Sequence, residues 1–233
     1  MPASELLAST KNDSLALHSG DYVERYKRKS LDRMRNLAEL MAVPDDAEIA
    51  DFACGNGMLL QVLGDRSGAY HGIDFSADFV VSAREWAEES GLNNGFFHCA
   101  DIVDFSEQHP QAFDLATTMD FSEHVDDPSA LRIYSAIRQS LKRGGKLYLH
   151  TPNLDFFLER AKDSGVLRQF PEHIAVRSAE GMVDLLVRAG FAREAIKVRY
   201  IAHYNILKLV HPLSYLPGIG KYFRARLWVE AEA

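Results

Sequence analysis

The chain has 233 residues, and apolar side chains make up 47% of it, which is enough to build a sizeable core in one compact domain. Its formal net charge of −7 offers no overall positive field to a phosphate backbone, so the charge argues against nucleic acid as a partner. The start of the chain lacks the basic and apolar regions of a signal peptide, and no uncharged apolar run approaches the roughly 18 residues that cross a bilayer.

The two cysteines, Cys54 and Cys99, have no metal-ligand spacing and do not suggest a disulfide framework. Such a pair suits a reducing compartment. We therefore expect a cytoplasmic protein without stable membrane insertion.

Short apolar runs alternate along the chain with stretches of helical periodicity. The predicted strands are Glu48–Ala53, Ala69–Asp74, Gly95–Ala100, Phe113–Thr118, Lys146–Thr151, Ile196–Ile201 and Arg226–Val229. The predicted helices cover about Tyr22 to Met41 and Met58–Leu63, and three more begin at the cap signals Ser76, Asp127-Pro128 and Ser178.

This alternation predicts an α/β fold, a doubly wound and mostly parallel seven-stranded sheet with helices on both faces. No helix separates the last two runs, so we expect them to form an antiparallel pair at the edge of the sheet. We expect a single domain over residues 1–233, with a helical cover formed by residues 1–45.

A doubly wound sheet binds its ligand beyond the carboxyl ends of its strands, so the loops after the first strands form the candidate site. The first loop carries Gly55 and Gly57, which let the backbone turn tightly and approach a ligand. The second strand ends at Asp74, whose carboxylate can accept two hydrogen bonds from a ribose diol. The third is followed by Asp101 and Ile102, an acceptor for an exocyclic amine beside an apolar surface. Each signal is weak alone, but three at successive strand ends favour a nucleotide-like cofactor.

These loops resemble those of the class I S-adenosylmethionine-dependent methyltransferases, and the similarity runs through nearly the whole chain. Their first motif is an acidic residue followed by alternating glycines, and Asp51-Phe52-Ala53-Cys54-Gly55-Asn56-Gly57 matches it except that Ala53 stands where glycine is usual. Two later elements are also similar: Leu141-Lys142-Arg143-Gly144-Gly145 before the fifth strand and Ala189-Gly190-Phe191 before the sixth.

The resemblance implies S-adenosylmethionine as the cofactor and assigns roles to individual residues. Asp51, Gly55 and Gly57 would hold the methionine part, Asp74 the ribose, and Asp101 with Ile102 the adenine. The implied cofactor-binding set also includes Phe75 on the adenine face, Ala53, Met119, and Tyr26 and Arg33 on the N-terminal helix. For the last two, an aromatic and a charge on an ordinary helix surface are an equally open interpretation.

A nicotinamide-dependent dehydrogenase is the competing class of nucleotide-binding enzyme. Its fingerprint needs a third small residue at position 60, where this chain has Leu60. The acidic Asp51 inside the first strand also suits the methyl donor better, so we set the dehydrogenase aside.

The segment after the fourth strand carries candidate reaction-site residues. If the turn is helical, Asp120, Glu123 and His124 share one face, and two carboxylates with an imidazole can form a Mg²⁺ site or a base with its partner. The segment resembles that of the ubiquinone-biosynthesis O-methyltransferases, where this patch is linked to a divalent metal beside a catechol-like acceptor. Three interpretations stay open: a metal site formed by these three residues, a pocket wall without metal, and local helix capping.

His173 lies in the long connection after the fifth strand, where related small-molecule methyltransferases often place a histidine near the acceptor. A merely exposed loop histidine is the alternative. We take His124, His173 and Asp120 as the candidate catalytic residues.

Two predicted cap insertions, residues 153–177 and 205–220, are the candidate determinants of specificity. The second is too long for a tight hairpin turn and too apolar for a free surface loop. A cap packed on the core is the simplest interpretation, and a dimer contact, a substrate lid or a membrane-surface foot are the alternatives.

The sequence thus predicts a methyltransferase that acts on a small molecule, at a hydroxyl of a partly hydrophobic acceptor. Methylation of a small amine or amino sugar, and a non-catalytic binding or scaffold subunit with this fold, are the alternatives. S-adenosylmethionine is the expected cofactor, with Mg²⁺ as a candidate second one, and a homodimer is a candidate assembly.

Overall fold

The computed structural model of the protein describes residues 30–233, which divide into two compact units, one ending at Phe105 and one formed by Ser106–Ala233. The elements of the first unit are α1 (Asp32–Ala38), β1 (Glu48–Phe52), α2 (Met58–Leu63), β2 (Ala69–Asp74), α3 (Ala77–Glu89) and β3 (Gly95–Cys99). A further helix, α4 (Ile102–Gln108), spans the boundary between the units. The single domain over residues 1–233 stays a prediction.

The second unit holds the remaining strands and helices. These are β4 (Phe113–Met119), α5 (Asp127–Ser140), β5 (Leu141–Pro152), α6 (Phe157–Asp163), α7 (Ala179–Arg188), β6 (Ile196–Ile201) and β7 (Arg226–Glu232). Four short 3₁₀ helices complete it: Ser122–His124, Arg193–Ala195, Ile206–Tyr215 and Gly220–Phe223.

The seven strands have the order β3-β2-β1-β4-β5-β7-β6. The pairs β1–β2, β2–β3 and β4–β5 are parallel, whereas β7 runs antiparallel to both β5 and β6. The predicted doubly wound, mostly parallel sheet with an antiparallel pair at its edge is therefore confirmed. Fully buried apolar side chains line the strands because a parallel sheet is covered on both faces; examples are Ile49, Phe52, Leu147, Leu149 and Trp228.

Two of the three predicted helix caps are confirmed. Ser76 accepts a hydrogen bond from the Phe79 N–H at 3.4 Å, and Ser178 accepts one from the Gly181 N–H at 3.1 Å. The third prediction, Asp127, is wrong by one residue, because the Asp126 carboxylate accepts the Ser129 N–H at 2.8 Å and is the cap.

The predicted end of α5 and start of β5 also need correction. We predicted that the fifth strand begins at Lys146, but α5 ends at Ser140 and β5 begins at Leu141. The strand pairing shifts after its first residue, since Leu141 pairs with Phe113 and Lys146 with Leu115, and Gly144 takes the left-handed φ of +78° that this irregularity requires. None of the helices in residues 30–233 has the length and hydropathy that a bilayer crossing requires.

Candidate active site

The loop after β1 turns the chain from strand to helix through left-handed backbone. Ala53, Gly55 and Gly57 have φ of 59°, 55° and 73°, and the Gly57 N–H donates to the Cys54 carbonyl at 3.1 Å. A Cβ at Gly57 would lie 3.0 Å from the Phe97 ring, so both the backbone conformation and the space there favour glycine. Ala53 takes a conformation that costs a residue with a Cβ about 1–2 kcal/mol. This strain explains why the resemblance leads one to expect glycine at that position.

The carboxylate of Asp74 holds this loop from the end of β2. Its Oδ2 accepts the Gly55 N–H and its Oδ1 accepts the Ser76 N–H, both at 2.9 Å. The residue is 5% exposed. One carboxylate therefore orders both the glycine loop and the start of α3.

Asp51 is buried inside β1 and accepts a hydrogen bond from the Tyr70 hydroxyl at 2.5 Å. Burial and the neighbouring Asp51 charge raise the pKa of Tyr70 well above its usual range, so Tyr70 stays protonated and donates. Burial, with the charges of Asp74 and Asp51, likewise raises the pKa of the Cys54 thiol. The two carboxylates make this end of β1 and β2 electronegative, which suits a ligand that carries positive charge.

The predicted adenine contacts lie at the end of β3. Asp101 is exposed, and its Oδ1 accepts the Val103 N–H at 2.9 Å, so this carboxylate caps α4 whatever else it does. Ile102 and Phe75 are half-buried. On α1, Arg33 is half-buried, whereas the predicted Tyr26 lies outside the described residues.

The glycine loop also contains a buried hydrogen-bond acceptor that a cofactor could satisfy. Asn56 is 5% exposed, and its Oδ1 has no hydrogen-bond partner among residues 30–233. A buried acceptor without a donor costs free energy unless a ligand supplies one. The ammonium group of a bound amino acid moiety would do so, and in this respect the loop fits S-adenosylmethionine.

In the second unit, Asp120 takes up the position after β4 with a left-handed φ of 53°. Its Oδ1 lies 2.8 Å from Nδ1 of His150 and 3.1 Å from Nη1 of Arg226. His150 is fully buried, and its Nε2 lies 2.5 Å from the Tyr204 hydroxyl. Because Nδ1 faces a carboxylate, we assign the ring proton to Nδ1. Nε2 then accepts a hydrogen bond from the Tyr204 hydroxyl. Asp120 and Tyr204 therefore flank the two ring nitrogens of His150, with Arg226 beside Asp120.

Sequence analysis assigned no role in the site to Tyr204, Arg226 or His150. The available signal was their position. His150 lies near the end of β5, Tyr204 follows the end of β6, and Arg226 begins β7 opposite Pro152 and Ile201. β7 pairs with both β5 and β6, so polar residues near the ends of these strands could have been predicted to lie together.

Glu123 lies in the predicted turn, which is a 3₁₀ helix over Ser122–His124, and is 1% exposed. Thr151 Oγ1 donates to its carboxylate at 3.1 Å. Burial and the neighbouring Asp120 charge raise the pKa of Glu123 to about 8. The side chain therefore carries a proton at neutral pH.

His124 and His173 meet beside Glu123, with ring centroids 5.2 Å apart. His124 Nδ1 lies 2.8 Å from the Glu172 carbonyl, which can only accept, so Nδ1 carries the proton and Nε2 is the basic nitrogen. Burial and the adjacent His124 lower the pKa of His173 to about 4, so that ring is neutral at physiological pH. One ligand-type atom from each of Glu123, His124 and His173 lies within 4.8 Å of the others.

Asp120 is not part of this set of three, although we predicted it with Glu123 and His124. It precedes the 3₁₀ turn, and its carboxylate turns to His150 and Arg226. His173 joins the cluster instead, from the connection between β5 and α7.

Arg177 fixes that connection against the turn after β4. Its guanidinium, 7% exposed, donates to the carbonyls of Ser122 at 2.6 Å and Val125 at 2.9 Å and to the Asp127 carboxylate at 2.9 Å. The Ile174 N–H also donates to the Glu123 carbonyl at 2.9 Å. These bonds place His173 at the cluster, and sequence analysis gave Arg177 no role.

A family model described as a methyltransferase domain matches residues 22–196, and the chain belongs to that family. The predicted membership of the class I S-adenosylmethionine-dependent methyltransferase family is thereby confirmed.

Curated relatives match a shorter part of the chain. It is 34% identical over 106 residues to a ubiquinone biosynthesis O-methyltransferase of Idiomarina loihiensis, a match covering 46% of this chain and 42% of that protein. It is 35% identical over 107 residues to the protein of the same name from Xanthomonas euvesicatoria, covering 46% and 44%. The match thus spans less than half the length of these relatives.

Solved structures share the fold at low identity. An S-adenosylmethionine-dependent methyltransferase from Archaeoglobus fulgidus has a TM-score of 0.68 at 15% identity, covering 91% of this chain and 100% of that one. One from Mesorhizobium loti has a TM-score of 0.62 at 18% identity, covering 88% and 100%. The [4+2]-cyclase SpnF has a TM-score of 0.65 at 20% identity, covering 88% and 83%. The last likeness shows that this fold alone does not decide the reaction.

Proposed function

We propose that the protein is a single-domain O-methyltransferase that acts on a hydroxyl of a small, partly hydrophobic molecule. The observation that carries the proposal is the cluster of Glu123, His124 and His173, whose proton-binding atoms lie within 4.8 Å of one another. The name of the relatives, ubiquinone biosynthesis O-methyltransferase, supports the same acceptor chemistry.

The methyl donor would be held by the loops of the first unit. Asp51, Gly55 and Gly57 would surround the methionine part with Asn56, and Asp74 would accept hydrogen bonds from the ribose. The adenine would lie against Asp101, Ile102 and Phe75. Ala53, Met119, Tyr26 and Arg33 complete the proposed cofactor contacts.

Methylation of a hydroxyl releases one proton, which needs an acceptor. The basic Nε2 of His124 would take it, because Nδ1 is already bonded to the Glu172 carbonyl and the resulting imidazolium stays hydrogen-bonded. His173 is neutral at physiological pH and would orient the acceptor oxygen. Asp120 would act as a positioning residue, since its bonds to His150 and Arg226 fix the start of the turn.

The described residues do not favour Mg²⁺ at this cluster. Mg²⁺ prefers oxygen ligands in octahedral geometry, whereas the three convergent groups offer two imidazoles and one carboxylate. The carboxylate of Asp120, a predicted ligand, lies instead against His150 and Arg226. The proposed reaction therefore uses no step through Mg²⁺, and activity that persists in EDTA is the expected result.

The experiment begins with calorimetric titration of the protein with S-adenosylhomocysteine. Methyl transfer is then measured with catechols and other phenols, and with amines as the alternative acceptors. His124→Gln should lower kcat about 100-fold with cofactor affinity kept, because it removes the general base. His109→Gln, outside the cluster, is the matched control. Methylation of amines alone, or full activity in His124→Gln, would refute the proposed chemistry; cofactor binding without any turnover would favour the scaffold alternative.

A further inference from the structure

Exposed apolar side chains concentrate on two segments of the second unit, residues 153–177 and 205–220. Of the large hydrophobic residues that are exposed in the described part of the chain, all except Val81 and Phe96 lie there. The most exposed are Tyr215 at 79%, Val166 at 77% and Ile206 at 76%. Apolar surface concentrated in this way marks an interaction site.

The second of these segments turns its apolar residues outward. In the 3₁₀ helix Ile206–Tyr215 the one buried residue is Ser214. We name the exposed large apolar residues of this segment the apolar strip: Ile206, Leu209, Leu213, Tyr215, Leu216 and Ile219. A cap packed on the core would bury the leucines and expose the serine. Here Leu209 and Leu213 are exposed and Ser214 is buried, which favours a partner outside the protein.

The apolar strip lies in a long stretch of the sequence that has no acidic residue. No Asp or Glu occurs between Glu194 and Glu230, although the whole chain has a formal net charge of −7. The Lys and Arg residues of this stretch are Lys197, Arg199, Lys208, Lys221, Arg224 and Arg226. Lys208 lies within the strip and Lys221 just beyond it, and both are exposed. Apolar side chains beside exposed cations are the combination that binds an anionic bilayer surface.

The strip has a defined conformation and is braced by the first segment. The Phe157 ring on α6 lies 5.9 Å from that of Phe223, and the Arg160 guanidinium lies 5.5 Å over the Tyr222 ring. Gly220 is buried, and a Cβ there would lie 2.4 Å from the Ser214 carbonyl oxygen. These contacts hold the backbone next to the strip, which lowers the entropy cost of docking.

A second copy of the chain is the competing occupant. A two-fold dimer through this strip would bring the basic residues of both copies into one interface, and the stretch has no acidic residue to pair with them. Juxtaposed like charges oppose such a contact. Anionic lipid headgroups complement the same charges.

We propose that the apolar strip, with Lys208 and Lys221, docks the protein on the surface of a membrane that contains anionic lipid. The apolar side chains enter the boundary between headgroups and acyl chains, and the two ammonium groups reach the headgroup phosphates. Docking is independent of the proposed O-methylation, but it would expose the enzyme to acceptors dissolved in lipid.

The test is flotation of the full chain with vesicles of phosphatidylcholine alone and with about 30% phosphatidylglycerol. We expect binding to the anionic vesicles that falls as salt is raised, and at most weak binding to the neutral ones. The double variant Ile206→Ser/Leu209→Ser should weaken binding at least tenfold, as expected for removing two buried aliphatic side chains. Lys208→Gln and Lys221→Gln should each weaken it about fivefold. Val81→Ser, an exposed apolar residue of the first unit, is the matched control and should bind as the wild type does.

Absence of binding to anionic vesicles, or binding that none of the strip variants weakens, would overturn the proposal. So would self-association in light scattering that Ile206→Ser/Leu209→Ser abolishes while vesicles stay unbound, because the strip would then belong to a second copy. Titration with S-adenosylhomocysteine should be the same for every variant. That measurement separates a failure of docking from a failure of the proposed methyltransferase function.

Discussion

The cofactor loops of the first unit and the histidine cluster of the second unit are built by different kinds of contact. In the first unit, a side chain such as Asp74 bonds the backbone of Gly55 and Ser76, and the partners are 19 residues apart or fewer. In the second unit, the contacts join residues that lie farther apart in sequence, from the 48 residues between His124 and Glu172 to the 106 residues between Asp120 and Arg226. Local contacts leave a motif that can be recognised, whereas distant contacts leave none.

The largest expected effect is on the contacts that hold the second region together. Arg177→Met should lower the free energy of unfolding by about 3 kcal/mol, because the carbonyls of Ser122 and Val125 lose their buried charged donor. Urea denaturation followed by circular dichroism measures the change. Arg188→Met, an exposed arginine on α7, is the matched control and should change stability little. If both variants were equally stable, Arg177 would not hold the connection that carries His173.

In the first unit, removing the carboxylate that orders the glycine loop should weaken cofactor binding. Asp74→Ala removes the acceptor of two backbone N–H groups and the proposed ribose contact, so affinity for S-adenosylhomocysteine should fall about 100-fold. Asp74→Asn keeps one acceptor oxygen, so its affinity for S-adenosylhomocysteine should fall less. Calorimetry gives both values, and an unchanged affinity in Asp74→Ala would refute the ribose role.

The cluster should also give two opposite dependences of stability on pH. The pKa of Glu123 is about 8 in the folded protein against an ordinary value of 4.5. Its contribution to the free energy of unfolding therefore falls by about 1.4 kcal/mol per pH unit as pH rises between these values. The pKa of His173 is about 4 against 6.5, so its contribution is complete above pH 6.5 and is lost as pH falls towards 4. Between pH 4.5 and 6.5 the two slopes oppose each other.

Single variants separate these slopes. Relative to the wild type, the stability of Glu123→Gln should rise more steeply with pH, because only the histidine contribution is left. The stability of His173→Gln should fall more steeply with pH for the converse reason. Urea midpoints measured from pH 4.5 to 8.5 give the comparison, with His109→Gln as the control. Parallel curves for all three variants would mean that the two groups titrate normally.

The smallest expected effect concerns the departure from the glycine motif. Ala53→Gly relieves the left-handed strain at φ 59° but adds backbone entropy to the unfolded chain. The net gain in stability should be below about 1 kcal/mol. Gly57→Ala makes the opposite change beside the Phe97 ring and should destabilise the protein. Thermal unfolding compares the two, and a clear loss in Ala53→Gly would show that the alanine methyl group packs favourably.

Much of the fold was predictable because its signals are local. The bounds of β2 and β6 were predicted to the residue, and Ser76 and Ser178 begin their helices as caps. Apolar periodicity and capping depend on neighbours within a few residues, so the sequence displays them directly. The cap of α5 was misplaced because Asp126 and Asp127 offer the same chemistry at adjacent positions, and the pairing of Asp127 with Arg177 lies outside the local sequence.

By itself, the sequence determined the α/β architecture, the methyltransferase family and the loops that carry Gly55, Gly57 and Asp74. The tertiary structure alone decided that His173 joins Glu123 and His124, that Asp120 turns to His150 and Arg226, and that the apolar strip faces outward. Backbone conformation follows from short-range sterics and hydrogen bonds, which each stretch of sequence encodes. Which distant side chains meet, and whether an apolar residue is covered, depend on strand register and on the packing of the whole unit.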